Sequence, residues 1–261
     1  MREYQKNFIT LYEHLRIPEK KKYKQGKVKY ILQRLSSHNK QGMCLDIGCS
    51  DGEITLSLSD EFDWIIGSDI DIRALKMINK ASHENISFFS GDAMSLPFED
   101  HSFDAIVCSQ TYEHVPSSDK LFEEIDRVIK EEGMIFFSGP NKLFPIEPHY
   151  LLPFLHWFSQ KSADRYLRLT RMGDHYYERS ETYWKLKKTF NGYEIIDVIK
   201  FVFEYFGQHS PKKISRIVNN IASKMPVFLL RLIAPFMVNI NWILIKKVAG
   251  SNDTHRIKFA S

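Results

Sequence analysis

The sequence predicts an α/β protein whose core is a doubly wound, mostly parallel sheet, and two observations carry that prediction. Short apolar runs alternate with stretches of helical period between Met43 and Asn141. The first run, which follows Gly42 and ends at Asp46, opens into a glycine-containing turn and then a new apolar stripe through Ile54, Leu56 and Leu58, the order of strand, tight turn and helix. At 261 residues, 43% of them hydrophobic, the chain can bury one α/β core and still carry a substantial insertion.

Taken in order, residues 3–15 and 24–37 are expected to be helical. Tyr4, Phe8, Leu11 and Leu15, then Val28, Ile31, Leu32 and Leu35, recur at the spacing of one helix face. After the first strand and helix come a second strand at Trp64 to Asp69 and a helix through Ala74, Leu75 and Ile78. Ile86 to Phe89 is a third strand, Phe103 to Ser109 a fourth, Leu121 to Ile129 a helix, and Met134 to Ser138 a fifth strand after the turn residue Gly133. Beyond Asn141 the pattern changes. Residues 144–177 are rich in aromatics, His and Pro without a clean period, which suggests an inserted cap. Ser180 to Phe190 reads as a helix starting on Ser180, Asn191-Gly192 as a turn, Tyr193 to Phe203 as a strand and Trp242 to Val248 as the last.

The reading divides the chain into an N-terminal helical segment (1–41), an α/β core (42–141), a cap (142–179), a return to the sheet (180–203), an amphipathic helical insertion (204–241) and a last strand with its tail (242–261). In the insertion, Ile214, Ile217, Val218, Ile221, Met225, Phe228, Leu229, Leu232 and Ile233 share a face opposite Lys212, Lys213, Arg216, Asn219, Asn220 and Lys224. Pro226 and Pro235 are expected to kink or split it. A membrane-spanning helix is disfavoured by Arg231 and Pro235. A core or dimer-forming helix and an interfacial helix at a membrane surface remain as readings of 212–238.

Thirty-six Lys and Arg against 32 Asp and Glu give a net charge of +4, too mild to argue for nucleic acid, although Arg16, Lys20, Lys21, Lys22, Lys24, Lys27 and Lys29 crowd one segment. The three cysteines, Cys44, Cys49 and Cys108, form no CxxC pair and suit reduced thiols in a cytoplasmic protein. The N-terminal stretch lacks the apolar run of a signal peptide, so export is not expected.

The turn after the first strand has the layout of a cofactor-binding strand-turn-helix unit, in which glycines admit close backbone approach and helix-start amides supply donors. A plain tight turn would explain its two glycines equally well. Asp69, ending the second strand, is placed to accept both hydroxyls of a ribose, and Asp92, after the third, to accept from an adenine amino group.

These residues resemble the class I S-adenosylmethionine-dependent methyltransferases, in particular the type 11 (UbiE-like) group. The family's D-x-G-x-G-x-G turn stands here as Asp46-Ile47-Gly48-Cys49-Ser50-Asp51-Gly52, its second-strand acid as Asp69, and its G-D-x-x-x-L-P-F segment as Gly91 to Phe98. Its fourth-strand F-D pattern stands as Phe103-Asp104-Ala105-Ile106-Val107, followed by Tyr112-Glu113-His114-Val115, and its helix and glycine turn before strand five as Glu123 to Gly133. The resemblance implies a seven-stranded Rossmann-like methyltransferase sheet, with the cap and the long helical insertion before the last strand added to it. It implies S-adenosylmethionine as methyl donor, leaving S-adenosylhomocysteine. Asp46 and Gly48, with Cys49, Ser50 and Gly52 of the same turn, would hold the methionine end. Asp69 would take the ribose, Ile70 and Ala93 the adenine faces, Asp92 the adenine amino group, and Gln110 would border the sulfonium. Ser50 departs from the commonest turn, and it is tolerated without strain if its φ stays negative.

Methyl transfer from a sulfonium needs a base only where the acceptor must lose a proton. His114 is the first candidate, and His149 and His175 in the cap are the others; for each, a structural histidine is the plain alternative. Glu147, His149 and His156 superficially suggest metal ligands, but their spacing is not HExxH and Pro148 and Pro153 disturb a regular helix, so no metal is expected. The segment Pro140 to Trp157 also resembles methyltransferases of surface-polysaccharide and lipid-linked glycan pathways. The expected acceptor is therefore small or lipid-linked, with O-methylation ahead of C-methylation of a quinone or polyprenyl-type lipid. A non-catalytic cofactor-binding regulator is the rival of a different class. RNA modification is disfavoured because Ser109-Gln110-Thr111-Tyr112 stands where an N-P-P-Y type motif would, and a homodimer is compatible with the reading.

Overall fold

The computed structural model describes residues 18–35, 42–79 and 83–247; the helix expected at 3–15 lies outside them. Five strands, β1 (Met43–Ile47), β2 (Trp64–Asp69), β3 (Ile86–Ser90), β4 (Phe103–Ser109) and β5 (Ile129–Pro140), pair in parallel. β7 (Asn239–Lys246) inserts antiparallel between β5 and β6 (Tyr193–Asp197). The sheet is seven-stranded and mixed, in the order β3-β2-β1-β4-β5-β7-β6.

Both faces of the sheet are covered, which is why its strands read as continuous apolar runs rather than strict alternations. Along β4 successive side chains go to opposite faces. Ile106 and Cys108 join a core with Leu121, Phe122 and Ile125 of α4 (Ser118–Val128) and Leu186 of α6 (Tyr183–Thr189). Ala105 and Val107 join a second core with Val28 and Ile31 of α1 (Pro18–Leu35) and Leu58 behind α2 (Glu53–Ser57). Short α3 (Ile72–Lys76) follows β2, with the Asp71 carboxylate accepting the Arg73 N–H at its start.

Several boundaries differ from the sequence reading, each for a local reason. β5 begins at Ile129 rather than Met134, because a bulge lets the chain pair with Phe103 before Met134 meets Ala105. The apolar run after Tyr193 is strand only to Asp197; the Asp197 carboxylate accepts the Ile199 N–H and α7 (Ile199–His209) starts there. α6 is capped by Thr182, whose hydroxyl accepts the Lys185 N–H, not by Ser180. The cap contains a helix that its aromatic composition conceals, α5 (Gln160–Thr170), and packs Ala163 and Leu167 of it on Tyr150, Leu155 and Tyr176. The stripe over 212–238 is split at Pro226 into α8 (Lys213–Ser223) and α9 (Val227–Ile233), with Pro235 in a 3-10 turn at Ala234–Phe236.

Lys27 is not part of a solvated basic face. It lies buried under α1, its ammonium 2.8 Å from Asn241 Oδ1 and 3.5 Å from Ser138 Oγ, tying α1 to the ends of β5 and β7. A second tie is Asn141, fully buried at the end of β5. Its amide donates to the carbonyls of Pro235 and Met237, and its oxygen accepts the N–H groups of Leu143 and Tyr183. One side chain thus fixes the exit of β5, the start of α6 and the approach to β7. Removing it leaves four part-buried backbone groups without this partner, so Asn141→Ala is expected to destabilise the protein by about 2–4 kcal/mol in denaturant unfolding.

Candidate functional site

The strand order reverses between β1 and β4, so the crevice at their carboxyl ends is where an open α/β sheet binds ligands. The turn after β1 is held down by the Gly48 and Cys49 N–H groups, which donate to the Ser68 carbonyl at 2.8 and 3.0 Å. Gly48 and Gly52 have φ of 73° and 74°, and a Cβ at Gly48 would lie 2.4 Å from Thr111 Oγ1 of the post-β4 loop. Only glycine lets these two loops meet.

Ser50 also has positive φ, 53°, so the condition for an unstrained serine is not met. The left-handed conformation costs about 1–2 kcal/mol for a residue with a Cβ. It is offset by the Ser50 N–H, which donates to Asp69 Oδ2 at 2.7 Å. The same carboxylate accepts the Asp71 N–H on Oδ1 at 2.8 Å, which fixes its rotamer at the end of β2. Each carboxylate oxygen keeps room for a second donor.

Asp46 is buried, and Thr55 Oγ1 donates to its Oδ2 at 2.6 Å. Burial pushes its pKa from the ordinary 3.8 up to about 7, against the lowering effect of the Thr55 hydroxyl. Burial likewise raises Asp69 and drives the Cys49 thiol far above its ordinary value, so Cys49 serves as a small packing residue. Asp92 accepts the Met94 N–H at 3.0 Å in a turn, and Ala93, next to it, and Ile70, next to Asp69, are both half-buried. Gln110 sits at φ 58° just past β4, its amide 3.3 Å from Ser138 Oγ. That contact joins it to the Lys27 and Asn241 network, which the sequence reading missed because nothing in an N-terminal lysine run shows which lysine will be buried.

Past β4 the chain brings two of the three candidate histidines together. The rings of His114 and His149 lie edge to face, centroids 5.1 Å apart. Glu113 is fully buried beneath them, its Oε1 3.6 Å from His114 Nε2 and 4.0 Å from His149 Nε2. Glu147, also fully buried, lies 2.7 Å through Oε1 from His149 Nδ1, and its Oε2 accepts the His149 and Tyr150 N–H groups. His175 is engaged elsewhere, paired with Asp164 at 3.0 Å on an exposed part of the cap and packed on Tyr177. His156 engages the Phe144 carbonyl at 2.6 Å, burial lowers its pKa, and its imidazole is not grouped with Glu147 and His149 as a ligand set. Glu113 is the residue that takes its place. Its only sequence signal was its position beside His114.

Residues 45–137 match a protein-family model described as a methyltransferase domain. Demethylmenaquinone methyltransferase of Staphylococcus saprophyticus is 28% identical over 172 residues, covering 60% of this chain and 72% of the relative. A methyltransferase solved in complex with the Haloferax volcanii Trm112 activator superposes with a TM-score of 0.58 at 13% identity, covering 94% of this chain and 98% of that one. Phosphoethanolamine N-methyltransferase 2 of Haemonchus contortus, solved with S-adenosyl-L-methionine, gives 0.53 at 17% identity, covering 85% of this chain and 52% of the other. At these identities the two structures establish the fold.

The raised pKa of Asp46 has a definite sign. The folded state holds the proton that the unfolded state releases, so the stability it contributes is complete below about pH 4 and is lost as pH rises through about 7. Asp46→Asn is expected to flatten that loss between about pH 4 and about pH 7 in unfolding experiments, relative to wild type; identical pH profiles would contradict the assignment.

Proposed function

We propose that this chain, which belongs to the class I S-adenosylmethionine-dependent methyltransferases, methylates a hydroxyl of a lipid-linked or other small amphiphilic acceptor at the carboxyl ends of β1 and β4. The observation that carries the acceptor chemistry is the pairing of His114 and His149 over the buried Glu113, beside the post-β4 loop.

The residues at the crevice suit the donor. Asp46 and Asp69, at the ends of β1 and β2, accept as carboxylates from an ammonium and from neighbouring hydroxyls, and Gly48 and Gly52 let the turn pack tightly against Thr111 and Phe88. Asp46 and Gly48, with Cys49, Ser50 and Gly52, line the methionine end in this reading; Ile70, Asp92 and Ala93 line the adenine end. The donor supplies a methyl on a sulfonium, an already activated leaving group. What the protein adds is alignment of the acceptor, exclusion of water and removal of the acceptor's proton. His114 is the group for the proton, His149 orients beside it, and Glu147 fixes the His149 ring through Nδ1. His175 serves the cap's own structure unless an acceptor reaches it.

A second reading, C-methylation of a quinone-type ring, is favoured by the demethylmenaquinone methyltransferase relative. Both acceptors are amphiphilic, and α8 and α9 suit either. Ile214, Ile221, Phe228 and Leu232 on these helices are more than 60% exposed, with Lys212, Lys213, Arg216, Lys224 and Arg231 around them. No single helix among the described residues is long and apolar enough to cross a membrane; α8 and the segment from Val227 to Phe236 meet at a bend of 118°. A bent, cationic, apolar pair is suited to lie in the headgroup layer of an anionic membrane. A dimer covering the same face is the alternative outcome.

Calorimetry is expected to show S-adenosylmethionine binding that weakens at least about tenfold in Asp69→Ala, the loss of two hydroxyl contacts at about 1 kcal/mol each. Absence of binding to wild type would overturn the reading. Incubation of membrane lipid extract with methyl-labelled donor is then expected to give a methoxy carbon in the NMR spectrum; a carbon-bound methyl would select the second reading. Separately, the protein is expected to co-sediment with vesicles containing anionic lipid but not with neutral ones. Ile217→Glu with Phe228→Glu should abolish this, whereas retained sedimentation, or a concentration-dependent dimer lost in the same variant, would remove the membrane assignment.

A further inference from the structure

We infer that Glu113, His114 and His149 form a binding site for one divalent transition-metal ion, open on one side to the acceptor. The inference rests on the acceptor site proposed above and names what lies between its two imidazoles.

Three observations converge. The ligand atoms of the three residues lie within 4.8 Å of one another. The two imidazoles approach the same carboxylate oxygen through the same ring atom, Nε2, at 3.6 and 4.0 Å. A tetrahedral ion with bonds of about 2.0–2.2 Å holds its ligands about 3.3–3.5 Å apart, so a small inward rotation of the rings completes the geometry.

The supporting shell is already in place. A carboxylate accepts but does not donate, so the Glu147 Oε1 partner at 2.7 Å assigns the proton of His149 to Nδ1 and leaves Nε2 as the electron-pair donor. Glu147 is itself held by two backbone N–H groups, those of His149 and Tyr150. A carboxylate that orients a metal-bound imidazole through its other nitrogen is the common second partner of metal-bound histidine. Charge points the same way. Glu113 and Glu147 are both fully buried on either side of His149, and a cation held between the imidazoles would offset their charge.

Two nitrogens and one carboxylate oxygen suit zinc, iron(II), manganese or cobalt, and too few oxygens are present for calcium or magnesium. Three protein ligands leave coordination positions for the acceptor. The side chains of His114 and His149 are 13% and 14% exposed, so the site opens to a ligand from one side. A hydroxyl bound there would lose its proton near neutral pH, because the ion stabilises the oxyanion; with the ion bound, His114 holds the ion and the ion replaces it in activating the hydroxyl. The chemistry balances without a redox partner: the hydroxyl proton leaves to solvent, the oxygen lone pair forms the new bond to the methyl carbon, and the carbon–sulfur bond breaks to give the neutral thioether.

The test uses the full chain freed of metal by chelation, then dialysed against zinc or cobalt(II). The expected result is one tightly held ion per chain, with a cobalt spectrum of nitrogen and oxygen ligation. His149→Ala is expected to lose the ion, and Glu147→Gln to weaken it about 10–100-fold while the fold persists. His101→Asn, on the bend before β4, should retain full occupancy. No retained ion in wild type, or equal retention in His149→Ala, would overturn the inference. S-adenosylmethionine binding is measured on the same samples. If the donor binds and the metal does not, the metal site fails alone; if the metal binds and the donor does not, the methyl-transfer site fails and the ion stands.

Discussion

The close approach of Gly48 to Thr111 is the constraint on which the carboxyl edge depends. At this point the loop after β1 and the loop after β4 leave the sheet toward opposite faces, and the Thr111 hydroxyl donates to the Ile47 carbonyl at 3.0 Å while packing where a Cβ would stand. One loop lies between the carboxylates of Asp46 and Asp69, and the other carries Glu113 and His114. In the proposed function a donor site and an acceptor site share one crevice because two backbones touch across it. Any side chain larger than hydrogen at residue 48 would separate them.

The electrostatics of the two halves differ in kind. Asp46 and Asp69 are acids whose pKa values burial, and then a neighbouring acid, raises, held ready by a hydroxyl and by backbone amides. Glu113 and Glu147 face imidazoles instead. The first arrangement suits a ligand that brings its own positive charge and hydroxyls. The second suits the handling of a proton or a cation. Strain follows function here too: Ser50 and Gln110, flanking the two loops, both adopt left-handed backbone that residues with a side chain usually avoid.

Much of this was legible in the sequence where local order carries the information. Asp46 and Asp69 stand at strand ends and Gly48, Gly52 and Asp92 in the turns that follow, because the carboxyl ends of a parallel sheet gather these loops together. The splitting of the amphipathic stripe followed from Pro226 alone. What was not legible depends on partners distant in sequence. Whether Tyr193 to Phe203 continues as strand is decided by β7, which pairs only with Tyr193 to Asp197, and the apolar residues beyond are equally suited to a buried helix. The helix α5 was hidden because most of its residues are charged or polar and only Ala163 and Leu167 are buried. Glu113 was passed over because an acid in a short loop is usually exposed, and its burial exists only once β5 and the cap close over it. The third histidine, His175, has the right chemistry but spends it on Asp164.

The position of β7 bears on how the chain is made. It is the last strand in sequence among the described residues, yet it lies inside the sheet, with Ile245 opposite Met134 of β5 on one side and Glu194 of β6 on the other. During synthesis β1 to β5 can assemble as they emerge, but β6 has no edge to join until β7 has been made. Through that interval the free edge of β5 and the apolar residues of α8 and α9 are exposed together. Closing a contact across more than a hundred residues is slow, and an open strand edge is a template for wrong pairing. A membrane surface or a chaperone that covers α8 and α9 in that interval would protect the half-built sheet as well as serve the finished enzyme.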